Sequence, residues 1–374
     1  MESTLSRRQL LALGTVSFLA PALRFYPSES VALSGRAAWT AALLALPLML
    51  GYCYFLIRLL ALRREGEGLA ELTRRLGGGL GPVLLGLAAL WTLLYAAFVL
   101  RSGADRLVGT VYPKASPGVF IEVMGLLSLL AALAGPRSLG RMARIVQPFL
   151  LGVLLLLLFV ALARADTDKL LPLTGDDWLR VPQGALAAAN VLVCPAAGIC
   201  FLAGGVKKRP GGFWPLGLWM GMLCLLLTLL NLALLGSFGA ELAAALSRPF
   251  FVLVRPLVFF RPVERVEALV VMLWIFPDFL MAALYLWAGR QALGLLLEGR
   301  KLGPWRIPAA GDTTRGLTWV CGAAVIGLGL WLGPDSHSLE RWSTTLIPAM
   351  NLVFCFGLLP FLYILGSRRG EKEN

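Results

Sequence analysis

Apolar residues along this chain fall into runs close to the ~20 residues a helix needs to cross a bilayer, with polar stretches between them. The runs are Leu10 to Leu33, Trp39 to Leu62, Pro82 to Leu100, Val119 to Leu133 and Val146 to Leu162. They continue with Gln183 to Leu202, Trp214 to Phe238, Val266 to Ala288, Leu317 to Leu332 and Thr344 to Leu365. This predicts an all-α membrane protein with ten transmembrane helices. Two connections are longer than the rest. Glu241 to Val263 is apolar but broken by Arg248, Pro249, Arg255, Pro256, Arg261 and Pro262, so short helices across the outer mouth are expected there. Leu297 to Arg315 is polar and reads as a cytosolic connector.

Two of the runs are interrupted in corresponding places. The first carries Pro21, Arg24 and Glu29 inside a stretch long enough to span. A proline removes a backbone hydrogen bond, and a guanidinium at bilayer depth costs ~3 to ~17 kcal/mol depending on the reference state. One reading is a break at Ala20, Pro21, Ala22, Leu23 and Arg24 that lines a polar cavity. The other is a kinked helix whose Arg24 snorkels or pairs with Glu29. The sixth run contains Asn190, Cys194, Pro195 and Gly198, which predicts a second break at Cys194 to Gly198. Paired interruptions in two halves point to a transporter-type binding site. Because five spans precede the sixth, the second set enters inverted. The expected architecture is a 5+5 inverted repeat, residues 10–164 and 183–365, within one membrane domain, with the first and sixth helices broken.

Asp278 follows Pro277 inside the eighth run, where three roles fit it: ion pair with Arg24, ligand contact, or proton relay. Asn190 fits either a ligand contact or a bridge between helices. Trp39, Trp214, Trp219 and Trp342 fall near run ends and read as an interfacial belt. Ala20 to Arg24, Asn190, Cys194, Pro195, Gly198 and Asp278 are therefore the candidate ligand-binding residues.

Composition removes the soluble alternative: 58% of residues are hydrophobic, 15% are charged, and mean hydropathy is +0.77. The net charge of +13 would suggest nucleic acid in a soluble chain. Here the basic residues lie in short loops and set orientation, with 19 on the side of the N-terminus against 12 opposite. Both termini are thus expected on the cytosolic side and the acidic loop Asp166 to Asp177 outside. The Ser6-Arg7-Arg8-Gln9 start resembles a twin-arginine export signal, but further spans follow it and the segment is expected to be retained. Six cysteines sit inside apolar runs and read as core residues. The sole histidine, His337, and the lack of paired carboxylates offer no acid–base pair, metal site or cofactor site, so an enzyme is not expected.

Several short stretches carry a family resemblance. They are Ser6-Arg7-Arg8-Gln9, Tyr26-Pro27-Ser28, Gly35-Arg36-Ala37-Ala38-Trp39-Thr40, Leu253-Val254-Arg255, and Glu264-Arg265-Val266-Glu267-Ala268-Leu269, followed by Trp274, Tyr285 and Ala288. In this order, from Ser6 to about Arg369, the chain resembles the spore germination permease family. That is the membrane B subunit of nutrient germinant receptors, within the amino acid/polyamine/organocation superfamily. The resemblance implies a LeuT-type fold, a small amino-acid-like nutrient bound at mid-membrane, and partnership with an A subunit and a lipoprotein C subunit in the spore inner membrane. A cation-coupled or amino acid permease of the same fold is the alternative it allows. The chain departs from the family at Ala20 to Arg24, where relatives carry an uncharged glycine-rich stretch, which implies a reshaped pocket.

Overall fold

The computed structural model describes residues 5–24, 26–171, 173–207, 213–246, 248–254, 266–298, 301–302, 305–306, 313–333 and 336–373. For 266–272, 301–302, 305–306, 313–314, 336–337 and 369–373 only the backbone is described. Each of the ten expected runs is helical. The first run forms α1 (Arg7–Arg24) and α2 (Tyr26–Ser34), and the second forms α3 (Ala38–Ala61). A short amphipathic helix, α4 (Leu69–Gly77), precedes α5 (Gly81–Thr110), which is followed by α6 (Pro117–Ala134) and α7 (Pro136–Leu162). The second half holds α8 (Gly175–Cys200), α9 (Trp214–Phe238), two six-residue helices α10 (Ala240–Ala245) and α11 (Pro249–Val254), then α12 (Val266–Leu297) and α13 (Thr313–Trp331). The chain closes with α14 (Ser336–Arg341), α15 (Ile347–Leu352) and α16 (Leu359–Glu373), joined by π-helical turns at Trp342–Leu346 and Val353–Leu358, and the last expected run lies from the first of these turns into α16.

Among the described residues, eight helical runs are long and apolar enough to cross a membrane. Arg315–Trp331 is a shorter apolar helix. α1 is long enough but more polar, and it is buried from Ala12 to Arg24. Large apolar side chains such as Leu156, Phe159 and Leu218 are exposed on the outside of the bundle, the arrangement a lipid solvent requires. A pair of two-residue antiparallel strands, Lys301–Leu302 with Trp305–Arg306, lies in the connector after α12.

The family-resembling stretches have local physical reasons. Ser6 and Gln9 form a reciprocal cap at the start of α1: Gln9 N donates to Ser6 Oγ (3.2 Å), and Ser6 N to Gln9 Oε1 (2.9 Å). Tyr26 is fully buried, and Asn231 Nδ2 on α9 donates toward Tyr26 Oη (3.2 Å), Ser30 Oγ (3.1 Å) and the Ala38 carbonyl (2.9 Å). One amide thus ties α2, the start of α3 and α9 together. Gly35 makes the turn between α2 and α3 with φ +57°, a left-handed conformation that favours glycine.

Both ends of the chain lie at one end of the bundle. Leu5 N donates to the Gly205 carbonyl (2.9 Å), and Gly366 on α16 abuts Leu76 and Leu62. We call this the near end. At the far end, α10 and α11 occupy the connection expected to cover the mouth, and positions 255–263 of that connection lie outside the described residues.

Three expectations are corrected. α1 is helical through Ala20, Pro21, Ala22, Leu23 and Arg24, and position 25 lies outside the described residues, so no break falls at Ala20 to Arg24. α8 runs without a break through Cys194, Pro195 and Gly198 to Cys200 before tightening to a 3-10 turn at Phe201–Gly205. A proline inside a packed helix forfeits one hydrogen bond, which close packing on every side tolerates, and residues 187–200 of α8 are buried throughout. Trp219, expected at an interface, is buried and donates from Nε1 to Thr15 Oγ1 (2.9 Å) on α1. Its indole fills the space beside Gly14, where a Cβ would approach within 2.8 Å.

Candidate functional site

α5 stays helical to Thr110, past the end of its apolar run at Leu100. Phe98, Ser102 and Arg106 stand at i, i+4 and i+8, which puts them on one face toward α1 and α12. That face meets Arg24 at the end of α1 and Asp278 in the middle of α12. All three charged side chains are buried: Arg24 is 7% exposed, Arg106 4% and Asp278 1%.

The contacts form one connected cluster. Arg106 Nη2 pairs with Asp278 Oδ2, and Arg24 Nη1 lies 3.8 Å from Asp278 Oδ1. Arg24 Nη1 also donates to Ser102 Oγ, which donates in turn to the Phe98 carbonyl (2.6 Å). Each guanidinium lies over an aromatic ring, Arg24 over Phe98 at 5.3 Å and Arg106 over Trp274 at 5.1 Å. Gly103 lets the carboxylate approach α5, since a Cβ there would stand 2.7 Å from Asp278 Oδ2. Arg106 Nε and Nη1 are buried with no hydrogen-bond partner among the described residues. Among the described residues the cluster therefore holds two guanidiniums against one carboxylate. It borders a cavity of about 80 Å³ whose lining includes Leu23, Phe251 and Leu339. At the far-end rim, Arg248 Nη2 sits 3.3 Å from Asp105 Oδ2 and Arg248 Nη1 donates to the Gly109 carbonyl (3.0 Å).

The remaining candidate residues gather next to this cluster. Pro21 and Asn190 line a small cavity of about 20 Å³ together with Glu29, Tyr95 and Phe98. Phe98 thus faces both this space and the Arg24 guanidinium. Asn190 Oδ1 accepts from Asn351 Nδ2 (3.1 Å), and Asn351 Oδ1 accepts from Trp91 Nε1 (3.0 Å). The Cys194 carbonyl accepts from Tyr285 Oη (2.7 Å), whose ring packs against Gly198 so closely that a Cβ there would meet the hydroxyl at 3.1 Å. Pro195 is buried in the same helix, and Ala20 and Ala22 are buried in α1. The carboxylate beside Arg24 is Asp278, and Glu29 lines the smaller cavity.

Sequence reasoning missed Arg106, Ser102 and Gly103. Hydropathy ends the third span at Leu100, which assigned Arg101 and Arg106 to a loop. Arg101 is also intrabundle, donating from Nη2 to the Gly333 carbonyl (2.7 Å) and from Nε to the Leu332 carbonyl (2.9 Å). The available signal was the four-residue spacing from Phe98 onward.

Among the described residues, no group of three or more His, Cys, Asp or Glu side chains could hold a metal ion. All six cysteines are buried and free.

A ten-run helical bundle with charged residues buried inside it has known counterparts. A sequence profile described as spore germination protein matches residues 4–301. The chain belongs to that family. Comparison with curated proteins returns no match. Among solved structures, the chain resembles a Na+-coupled sialic acid symporter in a substrate-bound outward-open state, with 12% identity, TM-score 0.62, and coverage of 93% of this chain and 78% of that one. It resembles MHP1, a nucleobase-cation-symport-1 family transporter in a closed conformation with bromovinylhydantoin bound, with 13% identity, TM-score 0.63, and coverage of 96% and 81%. It also resembles MhsT in complex with L-phenylalanine, with 16% identity, TM-score 0.62, and coverage of 98% and 89%. At these identities the likeness is one of fold: this spore germination family member has the LeuT-type transporter architecture. Its family and fold relatives are permeases and transporters, and it is an integral membrane protein.

Proposed function

We propose that this protein is the membrane subunit of a spore nutrient-germinant receptor, and that it binds a small amino-acid-like nutrient through its carboxylate at the Arg24–Arg106–Asp278 cluster. The observation that carries this reading is the charge imbalance: two buried guanidiniums share one buried carboxylate. Excess positive charge in a low-dielectric interior is costly, so an incoming carboxylate is favoured where, among the described residues, two guanidiniums meet one carboxylate. Planar guanidinium forks also suit bidentate carboxylate recognition. Arg106 Nε and Nη1 supply donors without a hydrogen-bond partner among the described residues. The location is supported by its place in the fold, where the buried stretch of α1 that contains Pro21 ends on Arg24 and meets α5 and α12.

In this reading binding is passed to an A subunit and a lipoprotein C subunit in the spore inner membrane, with both termini of this chain on the cytosolic side. A second reading, a cation-coupled permease of the same fold, is favoured by the near full-length superposition on symporters. A single experiment tests the ligand assignment. Arg24→Leu or Arg106→Leu leaves one guanidinium against one carboxylate, so the protein should accumulate in the membrane while nutrient response falls by at least ten-fold. A nutrient analogue with its carboxylate replaced by an amide should fail on the wild type. Normal response of both variants, with normal accumulation, overturns the assignment. Uptake of labelled nutrient into vesicles by the wild type separates permease from sensor.

A further inference from the structure

At the near end, remote from the arginine cluster, four helix ends surround a groove of about 570 Å³: the start of α1, the end of α3, the end of α8 and the start of α9. This volume lies within the range of small-molecule sites. Its walls are mostly aliphatic, with Leu10, Leu60 and Ile199 from three different helices. Its charged lining residues are Arg7, Arg63 and Lys207, and no acidic side chain lines it among the described residues. In sequence the chain continues from Lys207 as Lys208-Arg209, outside the described residues.

The three cations are placed by different means. Arg7 opens α1 immediately after the Ser6 cap and is exposed. Arg63 is buried, donating from Nη1 to the Ala203 carbonyl and from Nη2 to the Val206 carbonyl (2.9 Å), so its guanidinium is held where α3 meets the end of α8. Burial lowers the Arg63 pKa from its ordinary value, a cost that a neighbouring anion offsets. Lys207 follows the 3-10 turn that closes α8 and is exposed. The groove floor reaches Ala196 and Cys200, within the stretch of α8 whose Cys194 carbonyl is held by Tyr285.

A long aliphatic trough with cations only, at the level where helices end, matches one chemistry: an anionic amphiphile. We propose that this groove binds an acidic glycerophospholipid of the surrounding bilayer, its phosphate beside Arg7, Arg63 and Lys207 and one acyl chain along α1, α3 and α8. Charge complementarity and the continuity of the apolar wall together select a lipid over a free anion. An acidic lipid gains from each nearby cation, whereas a zwitterionic lipid of equal chain length gains from burial alone.

The test uses the full-length protein, stripped of lipid in neutral detergent and then mixed with phosphatidylglycerol, phosphatidylcholine of the same chains, or inorganic phosphate. Retained lipid is read by native mass spectrometry. Phosphatidylglycerol should be retained at least about ten-fold better than phosphatidylcholine, a preference that Arg7→Gln/Lys207→Gln should abolish. Both residues are exposed, so that variant keeps the fold. Ala61→Trp, at an exposed lining position, fills the trough with all three cations intact and should also lose phosphatidylglycerol. Equal retention of the two lipids overturns the proposal, as does unchanged retention in the double variant. Retention in Ala61→Trp, or displacement of the lipid by millimolar inorganic phosphate, also overturns it, because either places a free-anion site where the lipid is assigned.

Discussion

Arg24 Nη1 stands 3.8 Å from Asp278 Oδ1, but the closer contact to that carboxylate comes from Arg106 on α5, so Asp278 is shared between the end of α1 and the far half of α5. Sharing changes the expected cost of each deletion. Asp278→Asn leaves two guanidiniums buried without a carboxylate and should be the most damaging single change, at about 3–5 kcal/mol. Adding Arg106→Leu restores the original excess of one positive charge. The double variant should therefore be more stable than Asp278→Asn alone, with a coupling of about 0.5–3 kcal/mol in a double-mutant cycle read by thermal unfolding in detergent. Strictly additive effects would mean that the two side chains do not share their charge.

Glycine at position 103 is what lets the carboxylate reach α5. Gly103→Ala would put a methyl group 2.7 Å from Asp278 Oδ2, and displacing a paired, buried carboxylate should cost about 1–3 kcal/mol. Gly152→Ala on α7 is the matched control, because a Cβ there meets nothing within 4 Å. Helix propensity alone then favours alanine by up to about 1 kcal/mol. Thermal unfolding should move in opposite directions for the two variants, and a parallel shift would remove the steric argument.

The architecture was legible from hydropathy because every run that crosses the bundle must satisfy its own backbone in an apolar medium, which leaves long aliphatic stretches in the sequence. The candidate site was legible only in part. Arg24 and Asp278 stood out as charges inside apolar runs, whereas Arg106 lay just past Leu100, where hydropathy sees a loop and the helix in fact continues to Thr110. The prolines misled in position: Pro21 and Pro195 mark helices that matter, yet both helices continue through them because tight packing makes the loss of one hydrogen bond tolerable. Trp219 was read from its distance to a run end, but Gly14 on α1 leaves room for the indole in the core.

The rim pair of Arg248 and Asp105 is partly exposed, with side-chain exposures of 32% and 28%, so it should add little to stability, about 0–1 kcal/mol. Its position predicts an effect on access instead. Arg248→Ala removes the side chain, one residue before α11, that reaches Asp105 and the Gly109 carbonyl and helps line the arginine cavity. Leu339→Cys, a buried reporter lining that cavity, should then react several-fold faster with a hydrophilic maleimide than it does with Arg248 present. Equal rates would show that the pair does not control entry.

Orientation is the remaining prediction, and the structure alters the argument for it. Arg101 and Arg106 belong to the bundle interior and not to a far-side loop, so two charges leave the far-side count and the bias toward a cytosolic near end grows. The loop carrying Asp166 and Lys169 is fixed at the far end, with Asp166 N donating to the Gly236 carbonyl (2.9 Å) and Lys169 Nζ to the Ser237 carbonyl (2.8 Å). Thr167 in this loop and Glu65 near α4 are both exposed, and the native cysteines are all buried. With a membrane-impermeant maleimide on intact cells, Thr167→Cys should label and Glu65→Cys should label only after the membrane is opened. The reverse pattern would place the near end outside, and the acidic lipid assigned to the near-end groove would then have to come from the outer leaflet.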